Sequence, residues 1–144
     1  MLKGNAMIYL NNSTNKYKNK KVRFLGEDFD SKKEKDQWLI LKHKEAMGEI
    51  KDLQRQVEFE LIPAQYEEIK TISKTGKIKI TKKLIERKCS YIADFVYTDT
   101  KTNERIVADV KGYDKKSGKF IETPEFKIKR KLMLYIYKIK IKEL

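Results

Sequence analysis

The sequence predicts a single α+β domain in which a central mixed β-sheet is flanked by α-helices. An early and a late segment carry apolar residues at helical spacing, and most of the segments between them alternate as strands do. No internal repeat or low-complexity linker divides the 144 residues, which is about the length of one domain. We expect a flexible N-terminal segment over residues 1–16 and one domain over residues 17–144.

The first third of the chain predicts a short edge strand, a strand with a turn, and a helix. The sequence MIYL at residues 7–10 is the candidate edge strand. Residues 22–30 (VRFLGEDFD) predict a strand and a turn with Gly26 at the bend. The helix begins after Ser31, a favourable N-cap residue, and Gly48 predicts its end.

Two extended regions follow the first helix. Residues 57–65 (VEFELIPAQ) alternate as a strand as far as Pro63. Residues 67–89 are rich in Lys, Ile and Thr, and they predict a charged hairpin or an extended excursion that turns near Thr75 and Gly76.

The last part of the chain predicts a loop, a helix and a strand. Residues 113–120 (YDKKSGKF) have the composition of a loop. The second helix is capped by Thr123 and has Pro124 at its first position, where a missing N–H is tolerated. Residues 139–144 (IKIKEL) predict a closing strand.

The hairpin ADFVYTDTKTNERIVADVKG, residues 93–112, carries charged residues where a core strand would carry Val or Leu. Asp94 lies in its first strand, and Asp109 and Lys111 lie in its second. If Asp94 pairs directly across from Asp109, the connecting loop is centred between residues 101 and 102. Side chains alternate along a strand, so this register places all three charged groups on one face.

Such a patch suits metal-assisted phosphodiester hydrolysis. Mg²⁺ prefers oxygen ligands, and two neighbouring carboxylates repel each other until a cation binds between them. A nearby lysine can orient a water molecule or stabilise the charge that develops on a scissile phosphate. The alternative is a structural ion pair on the solvated face of an antiparallel sheet.

These segments resemble the PD-(D/E)xK nuclease superfamily, and more narrowly a family of small phage-encoded endonucleases related to Holliday-junction resolvases. The resemblance runs in order over residues 17–144. It rests on FDSKKEKDQWLILKHKEAMGEI, LQRQVEFELIP, YIADFVY, VADVKG and FKIKRKLMLYIY. The chain departs from the motif because no proline precedes Asp94 or Asp109, and Asp109 stands where many members have glutamate.

The resemblance implies a restriction-endonuclease-like core and a catalytic set of Asp94, Asp109, Lys111 and Glu34. The three acids of this set are the expected ligands for Mg²⁺ or Mn²⁺. It also implies an endonuclease that is selective for Holliday junctions or other branched DNA, and a homodimer, since junction resolution needs two symmetric cuts. A phage-encoded enzyme would act in the host cytoplasm.

Glu34 also has a simpler interpretation. Ser31 and Glu34 form a Ser-x-x-Glu sequence at the start of a helix, which is the capping box. However, Trp38 and Leu41 follow on the same helical row, so Glu34 borders the buried face. Both a cap role and a metal-ligand role therefore stay open.

The formal net charge of +13 indicates a polyanionic partner, most often nucleic acid. In the second helix Lys127, Arg130 and Lys131, followed by Lys138, predict a basic stripe opposite the apolar residues Phe126, Leu132 and Ile136. We expect this stripe to hold the DNA backbone. Gln56 opens the strand that enters the sheet and is a further candidate DNA contact.

Two other functional classes fit the same sequence. One is a DNA-binding protein that keeps a nuclease-like fold without catalysis, and the other is a nuclease subunit that is active only with a partner. No window approaches the roughly 18 uncharged apolar residues of a membrane span, and we expect a cytoplasmic protein with no membrane partner.

Overall fold

The computed structural model describes residues 8–10 and 20–144. The helices are α1 (Lys32–Ala46) and α2 (Pro124–Tyr137). The strands are β1 (Ile8–Leu10), β2 (Lys21–Phe24), β3 (Glu27–Phe29), β4 (Ile50–Ile62), β5 (Gln65–Ile72), β6 (Ile78–Glu86), β7 (Cys89–Asp99), β8 (Arg105–Asp109), β9 (Tyr113–Asp114), β10 (Lys119–Phe120) and β11 (Lys142–Glu143).

Four of these strands form the central sheet, in the order β11-β8-β7-β4. Strand β11 runs parallel to β8, whereas β8, β7 and β4 pair antiparallel. The predicted mixed sheet is therefore confirmed. The remaining described strands form one three-stranded and two two-stranded sheets.

The two helices cover opposite faces of the central sheet. On the α1 face, Leu41 packs with Phe95 of β7. On the α2 face, Phe126 and Met133 pack with Val107 of β8. This arrangement confirms the predicted α+β class, while the restriction-endonuclease-like core remains a prediction.

Strand β7 changes faces beside its acidic residue. Ala93 packs in the α2 cluster, whereas Phe95 packs in the α1 cluster. Residues two apart in a regular strand share a face, so the alternation is broken between them. On the neighbouring strand β4, Gln56 has a left-handed backbone with φ of 51°. Asp94 therefore lies between a residue that packs on the α2 face and a residue that packs on the α1 face.

Several local predictions are confirmed. Ser31 caps α1 by accepting the Glu34 N–H, and α1 ends at Ala46, shortly before Gly48. Thr123 caps α2, with Pro124 in its first turn. Strands β5 and β6 form the predicted charged hairpin, which turns through Gly76, and β2 and β3 turn through Gly26. These caps and turns depend on local chemistry, which a sequence states directly.

Other boundaries were wrong. Strand β4 begins at Ile50 rather than at residue 57, so Gln56 lies in its interior instead of opening it. The predicted loop 113–120 contains the short hairpin of β9 and β10, and only Lys142 and Glu143 of the closing segment pair as a strand. Of the predicted flexible segment, the described part is Ile8–Leu10, which forms the expected edge strand; the rest lies outside the described residues.

Candidate active site

The register of β7 and β8 is the one that the sequence predicted. Phe95 pairs with Ala108, and continuing this ladder by one residue places Asp94 opposite Asp109. Beyond the end of the ladder, Asp94 Oδ2 accepts a hydrogen bond from the Val110 N–H at 2.8 Å. The half-buried Asp94 carboxylate therefore holds the backbone of the segment that leads to Lys111.

Asp109 lies at the end of β8 and is buried. Its Oδ1 accepts a hydrogen bond from the Tyr91 hydroxyl at 3.1 Å, and its Oδ2 forms an ion pair with the Lys111 ammonium. Oδ2 is buried and has no hydrogen bond of regular geometry. The Lys111 ammonium also lies 3.6 Å from the centre of the Phe126 ring, in a cation–π contact.

The backbone of Lys111 is held by two further segments. Its N–H donates to the Leu144 carbonyl at 3.1 Å, and the Leu144 N–H donates to the Asp109 carbonyl at 2.9 Å. Lys33 from α1 donates its ammonium to the carbonyls of Lys111 and Leu144, at 2.5 and 2.8 Å. Strands β8 and β11 and the first turn of α1 thus fix the segment that carries Lys111.

Glu34 approaches from α1 and is 3% exposed. Its Oε2 accepts the Asp30 N–H at 3.0 Å, and its Oε1 accepts a hydrogen bond from the Gln56 side-chain amide at 3.2 Å. The same amide lies 3.4 Å from Asp94 Oδ1. In a complete capping box the glutamate would return to the N–H of Ser31. Instead it contacts the preceding residue and, through Gln56, the candidate site.

The two carboxylates nearest to Gln56 resist ionisation. Burial, followed by the negative charge of Asp109, raises the pKa of Asp94 to about 7. Burial is also the main reason that the pKa of Glu34 is raised. Both shifts reflect acidic groups that share a poorly solvated region.

The predicted residues form two adjoining groups. One group is Glu34, Gln56 and Asp94, and the other is Asp109 and Lys111. Across residues 8–10 and 20–144, no three acidic, histidine or cysteine side chains come together as a metal-binding group. The Gln56 amide separates Glu34 from Asp94, and the Lys111 ammonium occupies Asp109 Oδ2.

The donor chemistry nevertheless fits a hard divalent ion. All three acidic groups offer oxygen ligands, which Mg²⁺ and Mn²⁺ prefer. The charges of Asp109 and Glu34 both raise the pKa of Asp94, and the buried Asp109 Oδ2 faces the Lys111 ammonium. A cation would relieve this repulsion, so Asp94 and Asp109 are the residues that would hold it, with Glu34 beside them.

Asp94 makes protein stability depend on pH in a defined direction. Its pKa is about 7 in the folded protein against 3.8 for an unperturbed aspartate, so the native state retains a proton that the unfolded chain releases. In metal-free buffer the free energy of unfolding should therefore fall, by up to about 4 kcal/mol from this group, as the pH rises from 4 to 8. Asp94→Asn should flatten this fall, which urea titrations at several pH values would measure.

Glu104→Gln is the matched control because Glu104 is exposed in the loop between β7 and β8. That control should keep the fall in the free energy of unfolding that Asp94 produces. Mg²⁺ should raise the melting temperature of the wild type and of Glu104→Gln, but not that of Asp94→Asn. Equal Mg²⁺ effects in all three proteins would exclude Asp94 as a ligand.

Two residues near the site were missed by sequence reasoning. Tyr91 lies three positions before Asp94, where strict alternation would point the two side chains to opposite faces and gave no reason to link Tyr91 to Asp109. Burial and the charge of Asp109 raise the pKa of Tyr91, so it donates to this carboxylate as a neutral phenol.

The second missed residue is Arg55. Its Nη2 lies 3.6 Å from Glu34 Oε1, and its guanidinium stacks 3.9 Å from the centre of the Phe29 ring. The position of Arg55 directly before the candidate residue Gln56 was the signal that the sequence offered.

The predicted basic stripe is only partly free for a partner. Lys127 and Lys131 are exposed on α2 and line one surface depression. Arg130 instead forms ion pairs with Glu122 and Glu143, so part of its charge is offset within the chain.

The apolar face of α2 also differs from the prediction. It is centred on the buried Phe126 and Met133, whereas Ile136, predicted to lie on it, is 40% exposed. Lys138, the last residue of the predicted stripe, lies beyond the helix as its C-cap, with a left-handed backbone.

Residues 14–143 match a family described as "Protein of unknown function (DUF1064)". The chain belongs to this family. The match covers the whole central sheet and both helices, including every residue of the candidate site. No curated protein and no solved structure matches the sequence. None of the helices in the described part of the chain is long and apolar enough to cross a membrane.

Proposed function

We propose that this protein is a metal-dependent DNA endonuclease that hydrolyses phosphodiester bonds in branched DNA and acts as a homodimer. The main support is the geometry of the β7–β8 hairpin. Asp94 lies opposite Asp109 by register, its carboxylate binds the Val110 N–H, and Lys111 pairs with Asp109. Two acids and one ammonium thus lie together at the end of a paired strand, where an enzyme of this class needs them.

Each side chain has a defined task in this proposal. Asp94 and Asp109 would hold Mg²⁺ or Mn²⁺, which supplies an acidified water and charge stabilisation at the scissile phosphate. Lys111, held beside Asp109, would donate a hydrogen bond to the phosphate oxygen or to the attacking water. Tyr91 keeps the Asp109 carboxylate oriented through its hydroxyl.

Gln56 and Glu34 support the other side of the site. The Gln56 amide contacts both Glu34 Oε1 and Asp94 Oδ1, so it fixes the distance between two carboxylates that repel each other. Glu34 would add a third acidic oxygen donor beside the residues that hold the ion. Buried carboxylates with raised pKa values are common at catalytic sites, which agrees with this assignment.

A non-catalytic DNA-binding protein is the second candidate. The observation that favours it is the pairing of acidic groups without a metal, since Lys111 neutralises Asp109 and Gln56 bonds to Glu34. Incubating the purified protein with a four-way junction, a fork and a linear duplex, with and without Mg²⁺, separates the two functions. We expect Mg²⁺-dependent cleavage of the branched substrates. Tight binding without cleavage under all conditions would favour the second candidate or a subunit that needs a partner.

The salt dependence of DNA affinity tests the basic stripe. If Lys127 and Lys131 contact phosphates, replacing both with alanine should flatten the slope of log affinity against log salt by about two units on every DNA sequence. Lys21→Ala with Lys42→Ala is a matched control, because it removes two exposed charges that pair within the chain. An unchanged slope in the α2 variant would move the DNA path to another surface.

A further inference from the structure

The hairpin of β5 and β6 forms its own two-stranded sheet, separate from the central sheet. It leaves β4 after Ile62 and returns to β7 at Cys89, and these two residues are paired at the end of the central ladder. Every residue in both of its strands is exposed. An isolated two-stranded hairpin is at best marginally stable in water, so this ribbon is the part of the chain that most needs a partner.

The register divides the ribbon into two unlike faces. Paired residues lie on the same face, and every second pair belongs to it. We call one of them the apolar face; its pairs are Tyr66 with Leu84, Glu68 with Lys82, Lys70 with Ile80, and Ile72 with Ile78. The opposite, polar face carries Glu67 with Lys83, Ile69 with Thr81, and Thr71 with Lys79.

Large side chains of the apolar face are open to solvent. Five of them are between 44% and 75% exposed: Tyr66, Ile72, Ile78, Ile80 and Leu84. Exposed apolar side chains grouped on one face in this way mark an interaction surface in a folded protein. Charge does not distinguish the two faces for a polyanion such as DNA, because each face carries two lysines and one glutamate.

The order of residues on the apolar face is self-complementary. Two copies can stack face to face around a two-fold axis that lies in the plane of the interface, perpendicular to the strands. The axis passes between the Glu68–Lys82 pair and the Lys70–Ile80 pair. Tyr66 then lies over Ile72 of the second copy, and Leu84 lies over Ile78. In the middle, Glu68 lies over Lys70, so opposite charges meet twice by symmetry.

From this complementarity we infer that the apolar face of the β5–β6 ribbon is a two-fold interface with a second copy of this chain. Apolar ends meet apolar ends, the central charges pair, and Lys82 can extend its ammonium past Ile80 to water. The polar face, with Lys79 and Lys83, stays outside. The interface does not depend on the proposed nuclease activity, since it would form whether or not the protein cleaves DNA.

Sedimentation analysis over a wide range of protein concentration tests this interface. The wild type should dimerise, and Ile72→Lys with Ile80→Lys should raise the dimer dissociation constant by about 100-fold or more, because it places four ammonium groups in the apolar contact. Thr71→Lys with Thr81→Lys adds the same charge to the polar face and should leave the dissociation constant within about threefold of wild type. A wild type that stays monomeric, or a dimer that tolerates the Ile72 and Ile80 changes, overturns the inference.

A charge exchange distinguishes direct pairing from a general loss of structure. Glu68→Lys alone and Lys70→Glu alone should each weaken the dimer by about tenfold, since each brings like charges together across the axis. The double exchange should restore wild-type association to within about threefold. Failure of the double exchange to restore the dimer would refute the proposed stacking. A monomer that assembles only on added DNA would assign the face to nucleic acid and refute it as well.

Discussion

Asp109→Asn is expected to lower the rate of DNA cleavage by about 10²–10⁴-fold while DNA affinity stays near that of the wild type. Asparagine keeps an oxygen that can accept the Tyr91 hydroxyl, but it removes the negative charge that would hold a divalent ion. Phosphate attraction depends on the +13 net charge of the chain, which this substitution raises only slightly. Single-turnover cleavage and binding in Ca²⁺ would be measured on the same four-way junction.

Lys111→Ala should reduce cleavage to a similar extent for a different reason. The Lys111 side chain is 19% exposed, and its ammonium pairs with Asp109 and lies over the Phe126 ring, so it is held in one place rather than free in solvent. Its loss removes the donor that would stabilise charge on the phosphate. Lys111→Arg keeps the charge and should recover only part of the rate, since a guanidinium has a different shape.

The control for both variants is Glu104→Gln, which changes an exposed acid in the loop between β7 and β8. It should cleave at the wild-type rate. The melting temperature of Asp109→Asn should stay within a few degrees of wild type, because the lost ion pair is offset by lower repulsion from Asp94. If Asp109→Asn and Lys111→Ala both cleave as fast as the control, the chemistry lies elsewhere.

The sequence was informative wherever a local rule determined the structure. The turn after Asp99 is closed by bonds from the N–H groups of Lys101 and Thr102 to the Asp99 carboxylate, so the hairpin loop is centred where it was predicted. That centre sets the register and hence the opposition of Asp94 and Asp109. The helix caps followed from single residues in the same way.

Structure that depends on broken alternation could not be predicted. Asp52 and Gln56 have left-handed backbones, and the ladder between β4 and β7 shifts between Lys51 and Gln54. Because of these irregularities, the side chains in the first half of β4 do not alternate regularly between the two faces, so the sequence pattern did not predict this part of the strand. The separation of the site residues into two groups was missed for the same reason. No pattern in the sequence shows that β7 changes faces beside Asp94.

Distant contacts were hidden for another reason. The Lys33 ammonium reaches the Lys111 carbonyl across 78 residues of sequence, and the Tyr91 hydroxyl reaches Asp109 across 18. Such contacts arise from the packing of α1 and β7 around β8, which depends on the whole sheet. Gln56 was selected only for its place near the sheet, whereas the structure shows that its amide contacts both Glu34 and Asp94.

Glu34→Gln is expected to lower DNA cleavage by about 10²-fold with little change in melting temperature. Glutamine retains an oxygen for the Asp30 N–H, and the helix cap made by Ser31 uses only the backbone of residue 34. The raised pKa of Glu34 shows that burial disfavours its charge, so a neutral amide should not destabilise the fold. What glutamine cannot supply is the second carboxylate oxygen and its negative charge beside Asp94.

Glu34→Ala completes the comparison because it removes both roles. It leaves the Asp30 N–H and the Gln56 amide without their acceptor, so the melting temperature should fall by about 2–8 °C, the effect of losing a stabilising contact worth 1–2 kcal/mol. Lys44→Gln, a change at an exposed position near the end of the same helix, is the control for general effects on α1. If Glu34→Gln cleaves like the wild type and only Glu34→Ala is impaired, Glu34 acts through the start of α1 alone. A loss of cleavage in Glu34→Gln at an unchanged melting temperature assigns the carboxylate to the reaction, because the amide preserves the helix contacts and removes only the charge.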